Sequence, residues 1–150
     1  MKTTLALLAF VFIPVVAVAS DPFGPGSVPM EQRGPQDAER IQGRWRLVKV
    51  VVGGQDITGT VQGALEYTFA AGHLIRGDLA PVSYRLNPAA TPGAIDIMDP
   101  DGKCQRVVYR IDRDTLTMCG DATAIEKRPA GFDSPVGSDV WVTTYRRVRK

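Results

Sequence analysis

The sequence predicts an all-β domain: a small antiparallel up-and-down barrel of about eight strands, with a short helical turn before the first. Three observations carry this. Apolar side chains alternate with polar ones over short runs, as in Val82-Ser83-Tyr84-Arg85-Leu86, the period of a strand that hides one face and wets the other. The runs are separated by turn formers such as Gly53-Gly54, Ala71-Gly72 and Asp99-Pro100-Asp101-Gly102. Beyond one turn ahead of the first strand, the domain shows almost no helical pattern. Strands joined in sequence order close naturally into a barrel, because closure removes the unpaired edges through which sheets aggregate. A two-sheet sandwich is the alternative. An eight-strand interior is either filled by side chains or holds one small ligand in their place.

The chain opens with Lys2 and an apolar run from Leu5 to Val18 that ends in Ala17-Val18-Ala19, the pattern of a secretory signal peptide over residues 1–19. A membrane anchor is the other reading, but a bilayer span needs about 20 apolar residues. No other stretch is apolar enough to cross, so no transmembrane segment is expected after cleavage. Residues 20–36 carry Pro22, Pro25, Pro29 and Pro35 with Gly24, Gly26 and Gly34, a composition that buries little and reads as a flexible linker. Residues 37–150 then suit one domain with a single core.

Within that domain Asp37 is expected to cap a helical turn through Ala38, Glu39, Arg40 and Ile41, ended by Gly43. From Arg44 to Val52 β-branched residues accumulate, with Trp45 and Leu47 on one face and Lys49 breaking the alternation, which predicts a bend or bulge. Leu65, Tyr67 and Phe69 mark the next strand, and a short one follows around Leu74 and Ile75. Val82, Tyr84 and Leu86 form another. Ile95 and Ile97 come after a proline-rich connection. Val107, Tyr109 and Ile111 alternate with Arg106, Val108 and Arg110, and after a turn at Asp112-Arg113 the run from Thr115 to Cys119 returns. Val140 to Arg147 makes the closing strand, expected to meet the Trp45 strand with Tyr145 and Trp45 sealed inside.

Two cysteines in an exported chain permit a disulfide. A turn at Asp112-Arg113 sets Cys119 opposite Arg106, which leaves Cys104 and Cys119 as diagonal neighbours on one face. A bridge then needs a bulge. Cys104–Cys119 and two separate thiols both stay open.

Several segments are similar to a family of uncharacterised exported proteins, expanded in planctomycetes and described as lipocalin-like. They are Ile41-Gln42-Gly43-Arg44-Trp45, Tyr84-Arg85-Leu86-Asn87-Pro88 with Ala94-Ile95-Asp96-Ile97, and Asp101-Gly102-Lys103. Tyr109-Arg110-Ile111-Asp112, Asp114-Thr115-Leu116-Thr117-Met118-Cys119, Arg128-Pro129 and the positions Phe132, Pro135, Gly137 and Ser138 continue the likeness. Gly43-x-Trp45 also resembles the lipocalin signature of a first-strand tryptophan plugging one barrel end. The resemblance implies an arginine of the last strand lying over that indole, Arg146 or Arg147 here. It implies relatives, not a reaction.

Charge adds little. Without Lys2, 17 of the 18 basic side chains face 16 acidic ones, too even a balance to steer a polyanion, so no nucleic acid partner is expected. Arg146, Arg147, Arg149 and Lys150 form a basic cluster that reads as a solvated strand end. His73 is the single histidine, so no metal site of ordinary zinc composition is expected. Nor does Ser83 or Ser138 sit in a Gly-x-Ser-x-Gly elbow that would make His73 a base for it. Asp96, Asp99 and Asp101 with Gly102 hint at a cation loop but lack the EF-hand spacing, and Pro100 favours a β-turn. Glu66, Asp112 and Asp114 form no evident acid pair. No catalytic residue and no cofactor is expected.

Trp45, Tyr67, Phe69, Tyr84 and Tyr109 share the expected inner face. Packed core is their commonest meaning, yet buried tyrosine hydroxyls need partners, so Trp45, Tyr67, Tyr84 and Tyr109 are the candidate ligand-binding set. The function expected is a non-catalytic exported domain in the periplasm, cell envelope or outside the cell, binding a small apolar or amphipathic ligand. Interaction with an envelope protein, or its inhibition, is the alternative.

Overall fold

A computed structural model describes residues 33–61 and 65–149 of the chain. The expected signal peptide at 1–19, and the expected linker up to residue 32, lie outside the described residues. A helix, α1 (Arg33–Arg40), leads into nine strands: β1 (Gly43–Val52), β2 (Gln55–Asp56), β3 (Glu66–Ala70), β4 (His73–Arg76), β5 (Val82–Asn87), β6 (Gly93–Met98), β7 (Cys104–Asp112), β8 (Thr115–Asp121) and β9 (Val140–Arg147). All pairings are antiparallel between neighbours, and β1 pairs with β9 as well as β3, so eight strands close into an up-and-down barrel with the two-residue β2 as a flap. The sandwich alternative is thereby excluded. At the closing seam Trp45 pairs with Arg147 and Leu47 with Tyr145, and the register shifts between Leu47 and Lys49. That shift is the bulge Lys49 announced: one extra residue lets β1 bend from β3 toward β9.

The turns follow from local backbone chemistry. Gly53-Gly54 and Ala71-Gly72 close two-residue hairpins in which every central residue has positive φ, +55° and +77° in the first, +48° and +80° in the second. Such turns match the twist of the strands they join. Ala71 carries a Cβ into this left-handed region, at a cost of roughly 1 kcal/mol that asparagine largely avoids. Ala71→Asn is therefore expected to raise stability by about 0.5–1 kcal/mol, read as a rise of a few degrees in Tm.

Three expectations need correction. The helix starts at Arg33, inside the expected linker, so Asp37 sits within it rather than at its cap. The Asp37 carboxylate instead accepts hydrogen bonds from Tyr109 Oη at 3.0 Å and Arg40 Nη1 at 3.3 Å, fastening α1 across the barrel end. The β7–β8 turn lies at Arg113-Asp114, with Arg113 at φ +50°, so Asp112 faces Thr115 and Val108 faces Cys119. This register, two residues from the expected one, separates Cys104 from the Cys119 position by four residues, roughly 13 Å along the strand. No bridge spans that, and both thiols are free. The third correction concerns the ligand-binding set and follows below.

The inner faces of the strands form the core. Trp45, Phe69, Leu74, Ile95, Val107, Leu116, Met118 and Tyr145 are all buried there, each large side chain contributing about 1.5–3 kcal/mol. A second, outer patch is buried too. Ala94, Val108 and Cys119 point away from the core, because their strand neighbours Ile95, Tyr109 and Met118 point in, yet they are at most 4 % exposed. The segment between β8 and β9 covers them. Asp121 starts it by accepting the Thr123 and Ala124 amides at 2.9 and 2.7 Å. Those bonds hold the Asp121 carboxyl below its ordinary pKa. Ile125 then receives the Arg106 amide at 2.8 Å, filling the β7 edge where β8 has peeled away, while Arg128 lies over the β6–β7 seam and donates to the Val107 carbonyl at 2.6 Å. Phe132 lies under the Arg110 guanidinium, 5.0 Å from ring centre. The strap ends against the Gly53-Gly54 turn, where Ser134 accepts the Gly54 amide.

Cys119 lies under this strap with no exposed surface, and burial followed by the carboxylates of Asp133 and Asp121 pushes its thiol up to about 11. Only thiolates react quickly. The native protein is expected to take one iodoacetamide adduct, on half-buried Cys104, within the time that unfolded protein takes two; intact mass reads the count.

Candidate functional site

The two ends of the barrel differ. At the α1 end every polar group of the aromatic plug has a protein partner. Trp45 is fully buried, and its indole N–H donates to the Ile41 carbonyl at 2.8 Å. Arg147, not Arg146, lies over the indole at 4.1 Å. The Arg147 guanidinium also donates to the Gln42 carbonyl at 2.8 Å and to the Arg40 carbonyl, so it caps the end of α1 while stacking on the ring. Gly43 permits this approach: at φ +108° a side chain is disfavoured, and a Cβ would stand 3.3 Å from the Arg147 Nη1. Tyr109 donates to Asp37. The Tyr84 hydroxyl accepts from Gln42 Nε2 at 3.0 Å, and its ring meets Phe69 edge to face at 5.2 Å.

Trp45, Tyr84 and Tyr109 therefore do not surround a common ligand site with Tyr67; they are the structural plug of one end. Tyr109 does border a groove of about 600 Å³, but this lies outside the barrel, between α1 and the Pro88–Gly93 connection, with Asp37, Arg40 and Phe132 on its walls. Asp37, Arg40 and Tyr109 are already engaged with one another there.

Tyr67, paired in register with Trp45, lines the far side of that plug. There it meets Tyr145 with ring centres 4.8 Å apart, and the pair borders a cavity of about 220 Å³ with Trp141, Arg76, Thr143 and Gln105. Leu74, Ile97 and Met118 supply its apolar side. The cavity exists for topological reasons. β4 and β5 share only two register pairs, ending at Leu74–Val82, so Arg76 sits beyond their seam. Opposite, Gly120 pairs with Trp141, and the indole fills the space that a side chain on Gly120 would take, since a Cβ there would come within 2.4 Å of the ring.

Its polar groups are unusual. Arg76 Nη2 reaches Asp99 Oδ1 at 3.4 Å, but Arg76 Nε is buried without a hydrogen-bond partner, and so is Thr143 Oγ1. Buried polar atoms of this kind are rare because each costs about 1–3 kcal/mol. The Tyr145 hydroxyl faces Tyr67, Thr143 and Arg76; burial, reinforced by the Tyr67 phenol, raises its pKa well above 10 and keeps it neutral.

The remaining sequence candidates are dispersed. His73 pairs in register with Ser83 across the β4–β5 seam, but both are exposed and the His73 Nδ1 lies 3.2 Å from the Ala71 carbonyl. Asp96, Asp99 and Asp101 are each beside a different cation, Arg128, Arg76 and Lys103. Gly102 donates its amide to the Asp99 carbonyl at 2.9 Å, which makes that segment a β-turn. Glu66 is held below the ordinary carboxylate range by hydrogen bonds from Arg44 and then Arg46. Asp114 pairs with Arg149 and Arg147, and Asp112 is exposed. Among the described residues no group of three or more His, Cys, Asp or Glu side chains is placed to hold a metal ion. No helix of the described residues is long and apolar enough to cross a membrane.

Compared with family models, with curated proteins and with solved structures, the chain matches none.

Proposed function

We propose that this chain is an exported, non-catalytic, lipocalin-like barrel that binds one small amphipathic molecule in the cavity beside Tyr67 and Tyr145. The observation that carries the reading is the cavity itself, an aromatic and aliphatic chamber with two buried polar atoms that lack partners. An apolar cavity of about 150 Å³ takes up benzene, so 220 Å³ has room for a ring and one polar group, roughly ten non-hydrogen atoms. The plug at the other end supports the lipocalin resemblance, since Gly43, Trp45 and Arg147 meet as that resemblance implies. The leader pattern over residues 1–19 supports export.

Benzyl alcohol is a suitable neutral probe. Titrated into isotope-labelled protein, it is expected to shift the amide signals of Leu74, Ile97 and Met118 and the Trp141 indole signal together, with one saturation curve. Absence of saturable shifts up to the solubility of the probe overturns the reading. Shifts confined to Thr91–Gly93 and α1 would instead place binding in the outer groove, the surface that an envelope partner would use.

A further inference from the structure

We infer that the cavity receives its ligand by an anionic head, and that the ligand class is a compact monocarboxylate with an aromatic or short aliphatic body, the carboxylate lying between Arg76 and Thr143. The inference deepens the ligand-binding reading above and rests on it.

The argument begins with the orphaned atoms. A guanidinium Nε–H can only donate, so whatever completes Arg76 must bring an acceptor. The Thr143 hydroxyl, also buried and without a partner, lines the same cavity, so an acceptor with two oxygens can serve both. Among the described residues, Arg76 is the only charged side chain on the cavity wall. In a partly buried site a charged acceptor forms a shorter and stronger bond to guanidinium than a neutral one does. Tyr145 and Gln105 line the same cavity, and the neutral phenol presents no negative charge to repel an anion.

The same geometry limits the charge of the head. Asp99, at 3.4 Å, already occupies one arm of the guanidinium and offsets part of its charge. What remains suits one negative charge and not two, which disfavours a phosphate dianion. Leu74, Ile97 and Met118 then face the body of the molecule, and the volume limits that body to about one ring.

Benzoate and benzyl alcohol test this as a pair, because they match in size and differ in charge at neutral pH. On the full chain, benzoate is expected to bind at least tenfold more tightly than benzyl alcohol. Arg76→Gln should cut benzoate affinity tenfold or more and leave benzyl alcohol within twofold, with an unchanged far-ultraviolet spectrum showing that the barrel is intact. Thr143→Val keeps the shape and removes the orphaned hydroxyl, so it should weaken benzoate several-fold without lowering Tm. If both probes bind alike, or if benzoate tolerates both substitutions, the anionic-head inference fails while the ligand cavity stands. Binding of neither probe removes both.

Discussion

Trp45→Ala is expected to lower stability by about 3–5 kcal/mol, the range for truncating a buried tryptophan, and so to bring a domain of this size close to its unfolding threshold. Trp45 is fully buried, pairs with Tyr67 on one side and Arg147 on the other, and donates its indole N–H to Ile41. Truncation removes the floor under the Arg147 guanidinium and leaves the Ile41 carbonyl without its donor. Denaturant unfolding monitored by circular dichroism measures the loss, and a change below about 1 kcal/mol would mean that the barrel end closes by other means. Arg147→Met is expected to cost about 2 kcal/mol, since it removes both the stacking and the bonds to the α1 carbonyls. Arg146→Met, on the exposed face, should stay within about 0.5 kcal/mol. Because Trp45 and Arg147 touch, Trp45→Phe and Arg147→Met should not add; a coupling of 0.5 kcal/mol or more is expected.

That contrast between adjacent arginines also shows what a single sequence discloses. Alternation in β5, β6 and β7 fixed which side chains face inward, and the glycine-bearing hairpins at Gly53-Gly54 and Ala71-Gly72 lie where their turn residues placed them. Closure between β1 and β9, and the bulge near Lys49, were likewise readable from period and branching. The β7–β8 turn was not, because Arg113 takes a positive φ that no residue-type preference announces. Since the error was two residues, every side chain kept its face; only the pairing, and with it the disulfide geometry, moved. The start of α1 was hidden inside a glycine- and proline-bearing segment whose helix is fastened by tertiary contacts from Asp37 and Arg40, not by its own propensity. The cavity was hidden for a different reason. Arg76, Gln105 and Thr143 come from three strands, and nothing along the chain marks a polar atom that will be buried without a partner. Of the four aromatic residues singled out, only Tyr67 borders that cavity, because inward-facing aromatics look alike in sequence whether they plug an end or line a void.

Arg128→Met is expected to destabilise the domain by about 2 kcal/mol, the loss of charge-assisted hydrogen bonds from a side chain only partly exposed. Its larger consequence is local. Arg128 ties the strap to Asp96 and to the Val107 carbonyl, next to the Arg106 amide that bonds Ile125. The Arg128 contacts pin the strap over the β6–β7 seam, and the Ile125 carbonyl they hold in place occupies the edge that β7 would otherwise present after β8 leaves it. A strap released there should open in advance of the barrel, exposing Val108 and Cys119 together with an unpaired strand edge. Iodoacetamide should then label Cys119 in the variant under conditions where the wild-type thiol is untouched. Exchange of the Arg106 amide should accelerate more than that of the Tyr109 amide, deep in the β7 ladder. Equal acceleration at both would show that the strap and the barrel open as one unit. Self-association at high protein concentration, detected by sedimentation, is expected of the variant alone, since a second copy can pair with the edge that the strap normally fills.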